Sequence, residues 1–472
     1  MVLTTAAASR PLPQLDRLAW PLAILLMLLV LLAPALWNGF PFLFADTGGY
    51  VARPFEGTLL PGRSSLYGTF LAAGLRLDFW PVIVIQAAVT LWVVLLMLRA
   101  VVGPVRPQVA FGVILLAALV SALPWYASHL MPDIFVPLAV VCLYLLAFTR
   151  DRLRRHEAAG LSVVAAVAIA FHMSILALSV ALIAIFACST LVGLSRPRLG
   201  LPIIVILAGV LLSLVSNFAI AGRFAFTPGG THFAFGRLVQ DGIIARYVNE
   251  HCPSAKLAIC RYAQELPDNA DGWLWGWNGP FYKLGGWDGY EAEARSIMRD
   301  TLRLYPIEHL KTAVSAALQQ LVSFRTGEGI NANDLHHALP VLEKLAPNMM
   351  PRVRAAAQQN NAFDFTWINR LHLPAAYLAA LILVFTLFRR RDFSTEARTL
   401  AATVLLALAA NAAICGVLSN PNDRYQARMV MLLPLAVAAV LLSHKARRAG
   451  DPISAREAAQ PSTRACNNSS TI

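Results

Sequence analysis

Residues 18–36 read LAWPLAILLMLLVLLAPAL, an unbroken stretch without a charged or amide side chain. A helix needs roughly 20 mostly apolar residues to cross the hydrocarbon layer of a bilayer, and this run has that length. Runs of the same kind recur at 80–98, 108–123, 131–148, 158–171, 175–194, 199–221, 371–388, 399–418 and 429–443. Helix is the expected state for each, because lipid offers no partner to a backbone N–H or C=O and the bonds must close within the segment. The fifth run is short, and only Phe171-His172-Met173-Ser174 joins it to the sixth.

Composition agrees with this reading. The 472 residues are 57% hydrophobic and 14% charged, with a mean hydropathy of +0.59. Average soluble domains carry about 25% charged residues, so an ordinary globular protein is excluded, as are a disordered chain, a coiled coil and a disulfide-framework mini-protein. The expected fold is an all-α polytopic membrane protein with about ten transmembrane helices and a mostly helical extracytoplasmic domain inserted between spans seven and eight.

Charge sets the orientation. With Met1 inside and the spans alternating, the inner segments hold 19 basic and 7 acidic residues, from Arg10 and Arg17 through Arg389-Arg390-Arg391 to Arg464, and the outer ones 20 and 19. Basic residues concentrate in cytoplasmic loops, so both termini are expected inside. The net charge of +13 then reflects topology rather than a nucleic-acid partner. A multi-pass protein of the inner (cytoplasmic) membrane follows, with its large domain periplasmic or extracellular. Ala33-Pro34-Ala35 has the small residues of a signal-peptide cleavage site, but the run is longer than a signal core and its removal would put one terminus outside.

The division this implies is a seven-span module over 1–221 with a first outer loop at 37–79, an extracytoplasmic domain at 222–370, a three-span module at 371–443, and a disordered cytoplasmic tail at 444–472. Within the insertion, 289–304 and 307–324 read as amphipathic helices and 335–357 as a weaker one. Cys142, Cys188 and Cys415 lie in spans and Cys466 in the tail, which leaves Cys252 and Cys260 outside. An oxidising compartment favours a structural disulfide between them, against two free thiols or a metal pair with His251.

Polar residues on the outer side carry the chemistry. The loop Ser419-Asn420-Pro421-Asn422-Asp423-Arg424-Tyr425-Gln426-Ala427-Arg428 sets two arginines at the membrane surface, against the prevailing bias. Arginine binds phosphate in a fork that lysine cannot copy, so Arg424 and Arg428 point to an anionic lipid head group. The competing reading is a snorkelling anchor or a surface pair with Asp423. Directly after span one comes Phe44-Ala45-Asp46-Thr47-Gly48-Gly49-Tyr50. A carboxylate this near the hydrocarbon is costly unless paired or used, and Asp46 is suited to deprotonate an incoming hydroxyl. Its alternative is an N-cap for a short helix. Arg63-Ser64-Ser65-Leu66-Tyr67 follows, then His129-Leu130-Met131-Pro132-Asp133, where Asp133 is a binding residue or an N-cap for span four. His172 is either a satisfied core histidine or part of the site. Asp46, Asp133, His172 and Arg424 come from four loops of the same leaflet. Trp273-Leu274-Trp275-Gly276-Trp277, with Trp287, fits interfacial anchoring better than sugar stacking. No P-loop, dinucleotide fingerprint or zinc signature is present in the sequence.

On these residues the chain resembles the GT-C superfamily of polytopic glycosyltransferases, which use polyprenyl-phosphate-linked sugars. The resemblance rests on the architecture, on Ala45-Asp46-Thr47-Gly48-Gly49-Tyr50 with Arg63 to Tyr67, and on Asp423-Arg424-Tyr425 before the last span. It implies that Asp46 is the base that activates the acceptor and that Arg424 holds the lipid phosphate, with Arg428 and His172 as further candidates. Tyr50, Arg63, Tyr67, His129, Asp133 and Tyr425 complete the expected substrate-binding set. The implied partners are a polyprenyl-phosphate-linked sugar, membrane lipids and an extracytoplasmic acceptor glycan, lipid or protein. No cofactor is expected, and the lack of a first-loop carboxylate pair leans against a divalent metal. Thr47 stands where such a pair would have its second acid, the Trp-Trp-Asp signature of oligosaccharide transferases is absent, and the soluble insertion is central rather than C-terminal. One alternative is an O-antigen-type polymerase or ligase working through Arg237, Arg246 or His251 of the large loop. Another is a lipid-linked-substrate transporter, which would need charged residues or broken helices near the bilayer midplane. The first reading requires Asp46 and Arg424 to meet in one pocket.

Overall fold

The computed structural model describes residues 14–252 and 254–450. Arg10, Arg456, Arg464, Cys466 and the tail beyond 450 lie outside the described residues. Those described are helical with no strand among them. The first half holds α1 (Gln14–Asn38), α2 (Thr47–Glu56), α3 (Ser65–Gly74), α4 (Trp80–Val102), α5 (Pro107–Val120), α6 (Phe135–Phe148), α7 (Arg155–Phe171), α8 (Met173–Ala187) and α9 (Gly200–Ala221). Then come α10 (Gly230–Gln240), α11 (Glu291–Leu304), α12 (Pro306–Val322), α13 (Ala338–Leu345), α14 (Phe365–Phe388), α15 (Thr395–Leu418), α16 (Asp423–Val430) and α17 (Leu432–Gly450), with the helix Ile243–His251 and several short helical turns between.

Among the described residues, six segments are long and apolar enough to cross a membrane: Leu18–Asn38, Trp80–Val102, Gly200–Ala221, Phe365–Phe388, Thr395–Leu418 and Asp423–Arg447. Four of the ten expected spans fall short of that length. Pro107–Val120, Pro132–Phe148 and Met173–Ala187 are apolar but brief, and α7 has 17 residues with charges in its first turn. At 1.5 Å per residue, the 14 residues of α5 reach only about 21 Å. The chain breaks there at an extended Ser121 and resumes as the short helix Leu123–Ala127, with Pro124 in its first turn.

The insertion at 222–370 does not pack as one body. Residues of α10, α11 and the turns between them surround the buried Trp273, Phe235 and Phe281 in a core of their own. Past Tyr305 the chain joins the main bundle, whose core takes in Phe324, Leu335, Leu342, Met349 and Val353. Helix α12 lies along α15, with Ala316 and Gln320 buried and the ideal Cβ position at Gly416 only 2.6 Å from the Ala316 carbonyl oxygen. Its opposite stripe of Ile307, Leu310, Val314 and Leu318 is exposed. The single helix expected at 335–357 is instead three short pieces, because Pro347 and Pro351 each restart the chain after a turn. The Cys252 and Cys260 sulfurs are bonded, with 5.3 Å between their Cα atoms. The segment 444–450, expected as tail, continues α17: no breaker precedes Gly450, and Lys445 and Arg447 suit a helix C-terminus.

His232 illustrates the smaller core. It is 1% exposed, its Nε2 bonds the Trp287 carbonyl at 3.1 Å, and burial holds the imidazole below its ordinary value. The folded chain therefore binds fewer protons than the unfolded one as pH falls through the ordinary histidine value, and stability drops with it. His232→Gln is expected to flatten that drop, checked by unfolding midpoints of both proteins between pH 7 and pH 5.

Helices α2 and α3 pack so closely that a Cβ on Gly68 would sit 2.2 Å from the Tyr50 carbonyl oxygen. Backbone cannot yield as a side chain can. Gly68→Ala should cost about 1–3 kcal/mol and displace the loop bearing Asp46, a shift that thermal unfolding of the purified variant would register.

Candidate functional site

Two loops are lashed together before any charged group of the site is placed. Phe42 N donates to the Ser128 carbonyl at 3.0 Å and Leu130 N to the Phe42 carbonyl at 2.9 Å, an isolated parallel bridge between the first loop and the turn ahead of Asp133. Thr47 seals the joint. Fully buried, its Oγ1 donates to the Leu130 carbonyl (3.3 Å) and accepts from Phe44 N (2.9 Å). A carboxylate in its place would face that carbonyl without a donor, which explains a threonine at this position.

Asp46 occupies the N-cap position of α2 but makes no capping hydrogen bond. Its carboxylate serves arginines instead: Oδ1 accepts from Arg63 Nη2, and Oδ2 lies 3.9 Å from Arg424 Nη1. Residues far apart in sequence thus meet, as the first reading requires. Asp133 is no cap either. It is 1% exposed, accepts from Arg428 Nη1 at 2.8 Å, and lies 3.9 Å from Arg424 Nε.

Arg424 is held by the last turn of α12 and the segment after it. Gln320 clamps Asn422, accepting from its N–H at 2.9 Å and donating to its carbonyl at 2.7 Å. Arg325 N donates to Asp423 Oδ1 (2.9 Å), and Glu328 Oε2 accepts from Arg424 N (2.6 Å). The Arg424 guanidinium then lies over the Phe44 ring at 4.2 Å. Arg428 is wholly buried, with Ser174 Oγ at 3.3 Å and Cys415 Sγ at 3.6 Å as its other contacts.

These groups surround a cavity of about 210 Å³. Asp46, Arg63, His172, Ser174, Arg424 and Arg428 give its polar wall, with Tyr50 and Tyr425 beside them; Met173, Ala177, Ile414 and Leu418 of α8 and α15 give an apolar one, and Phe233 closes it from the insertion. Arg63 Nε, Arg424 Nη1 and Arg428 Nε are buried with no hydrogen-bond partner among the described residues. His172 is neutral: burial and the Arg428 charge push its imidazole down to about 3, and its Nδ1 accepts from Ser174 N at 3.2 Å. It contributes a polar edge rather than a cation.

Three expected binding residues stand behind the cavity rather than in its wall. Tyr67 is buried and donates to Gln86 Oε1 at 3.1 Å, while Gln86 Nε2 donates to the His129 carbonyl at 2.9 Å. The His129 ring packs edge-on against Phe44 at 5.5 Å. Asp133 positions Arg424 and Arg428. Sequence reasoning did not single out Phe44, Ser174, Phe233, Glu328 or Cys415, whose residue types carry no signal until the fold assembles them. The large-loop groups are engaged elsewhere: Arg237 with Asp241 (2.6 Å), Arg246 with Glu250 (2.8 Å), and His251 with the Tyr247 carbonyl (3.0 Å). The tryptophans divide. Trp273 is core, Trp277 stacks on Tyr282 at 5.0 Å, and Trp275 lies 5.5 Å from the Arg63 guanidinium, beside the cavity. In comparisons with protein-family models, curated proteins and solved structures, the chain has no match.

Proposed function

We propose that this chain is a GT-C-like glycosyltransferase that moves a sugar from a polyprenyl-phosphate donor to an acceptor hydroxyl on the outer side of the cytoplasmic membrane. One observation carries the reading: three guanidiniums with unpartnered, buried N–H groups share a cavity with a carboxylate at the end of an apolar helix bundle. A buried donor left unpaired costs about 1–3 kcal/mol, which an anion among them would recover. Guanidinium forks match phosphate oxygens, and the cavity wall carries Arg63, Arg424 and Arg428 against the single carboxylate of Asp46. The volume of about 210 Å³ is below the roughly 300–1,000 Å³ of sites for larger ligands and suits a head group whose chain runs out along the apolar wall.

In this reading the ten apolar segments all cross, the shorter ones with their flanking turns, and both termini face the cytoplasm. The acceptor oxygen attacks the anomeric carbon as the carbon–oxygen bond to the donor phosphate breaks. The hydroxyl proton passes to Asp46 Oδ2, the oxygen not bonded to Arg63, and the departing phosphate keeps the bonding pair, its charge met by Arg424 and Arg428. The acceptor is a polysaccharide, lipid or protein. The engagement of Arg237, Arg246 and His251 outside the cavity favours this over a polymerase or ligase built on the large loop.

Mass spectrometry of surface glycans tests it. Cells lacking the chain should lose one sugar residue, restored by the wild type and not by Arg424→Gln at matched membrane levels. Identical glycan profiles in all three strains would overturn the reading.

A further inference from the structure

Helix α15 has a second cavity at its other end. The Asp46 site lies against Cys415 and Leu418, whereas this one, of about 560 Å³, opens at Ser394, Thr395 and Glu396. The 24 residues of α15 put about 30 Å between the two. Arginines from three separate segments line it: Arg152 between α6 and α7, Arg390 between α14 and α15, and Arg447 near the end of α17. Arg152 is partly engaged, donating to the Ala100 carbonyl at 2.6 Å and lying 3.4 Å from Glu396. Arg390 and Arg447 have no acidic partner among the described residues. Arg398, one turn into α15 from Ser394, is 7% exposed and its Nε is unpartnered among them.

We propose that this cavity binds a phosphate group. The positive bias of a cytoplasmic face accounts for arginines at this level, but not for three from distant stretches converging on one cavity with a single carboxylate among them. Ser394, Thr395 and Glu396 at the start of α15 line the same cavity, and a helix N-terminus has the polarity an anion needs. A basic pocket between helices at the membrane surface fits a phospholipid head group, and a free phosphate ester offers the same chemistry. The inference does not rest on glycosyl transfer at the other end.

The test uses the purified full chain in detergent, offered phosphatidylglycerol and phosphatidylcholine together and examined by native mass spectrometry. The wild type should retain the anionic lipid in preference, and Arg390→Gln with Arg447→Gln should lower that preference about tenfold or more as two guanidinium contacts disappear. Arg155→Gln with Arg196→Gln removes the same charge from exposed positions outside the cavity lining and should leave it unchanged. Titration with inorganic phosphate forms the second arm. Saturable stabilisation lost only in the first double variant would identify a soluble phosphate as the ligand, and lipid preference without it would identify the head group. Equal loss in both double variants, or no preference and no stabilisation in the wild type, would overturn the proposal.

Discussion

Asp133→Asn is expected to cost about 3–5 kcal/mol of folding stability, the largest effect of any single change around the site. Asp133 is 1% exposed and Arg428 is fully buried, so neither can turn to water when the other is lost. With asparagine there, Arg428 keeps a neutral acceptor, the Ser174 hydroxyl and the Cys415 sulfur but no counter-charge, and Arg424 loses a charge 3.9 Å from its Nε. Of the carboxylates around the three guanidiniums, only Asp46 and the Glu328 that accepts from Arg424 N would then remain. The readout is the thermal midpoint and the yield of monodisperse protein from solubilised membranes. Asp133→Leu combined with Arg428→Met should recover much of the loss, because an apolar pair of similar volume carries no stranded charge. A double variant as unstable as the sum of its single changes would show that the two residues do not act as a pair.

The parts of this molecule legible in its sequence are those that membrane physics makes expensive. An apolar run without partners for its backbone must be helix, and the segments at 80–98, 199–221 and 399–418 declare themselves by length alone. Charges beside such runs are costly enough that Asp46, Arg424 and Arg428 stand out for the same reason. What length cannot say is how short segments end: nothing in 108–123 announces the break at Ser121. Nor does an amphipathic stripe say what covers it. The apolar positions of α12 read as those of a soluble helix, yet on its other side Ala316 packs against α15 and Gln320 clamps the Arg424 loop. Asp133 was visible as a polar residue near a span, but its work, holding two arginines from a distant stretch, exists only once α16 is folded against it.

Asp46→Asn is expected to separate chemistry from folding. Asp46 is 19% exposed at its side chain, and after the change Arg63 keeps the Pro61 carbonyl at 3.3 Å and the Trp275 ring at 5.5 Å. The pair is less buried than Asp133 with Arg428, so the loss of stability should stay below the ~3–5 kcal/mol expected there. Loss of a general base, by contrast, typically costs 10²–10⁴-fold in rate, and sugar transfer by membranes carrying the variant should fall by about that much. The two effects therefore run opposite to those of Asp133→Asn. Asparagine keeps the shape and one acceptor for Arg63, so a fallen rate at an unchanged midpoint reports the missing proton acceptor rather than a displaced loop. Asp46→Glu adds a further arm: a carboxylate carried one methylene farther should restore part of the transfer if proton acceptance is the role. Transfer at the wild-type rate by Asp46→Asn would reduce Asp46 to a tether for Arg63 and Arg424 and leave the cavity a phosphate-binding site without a base.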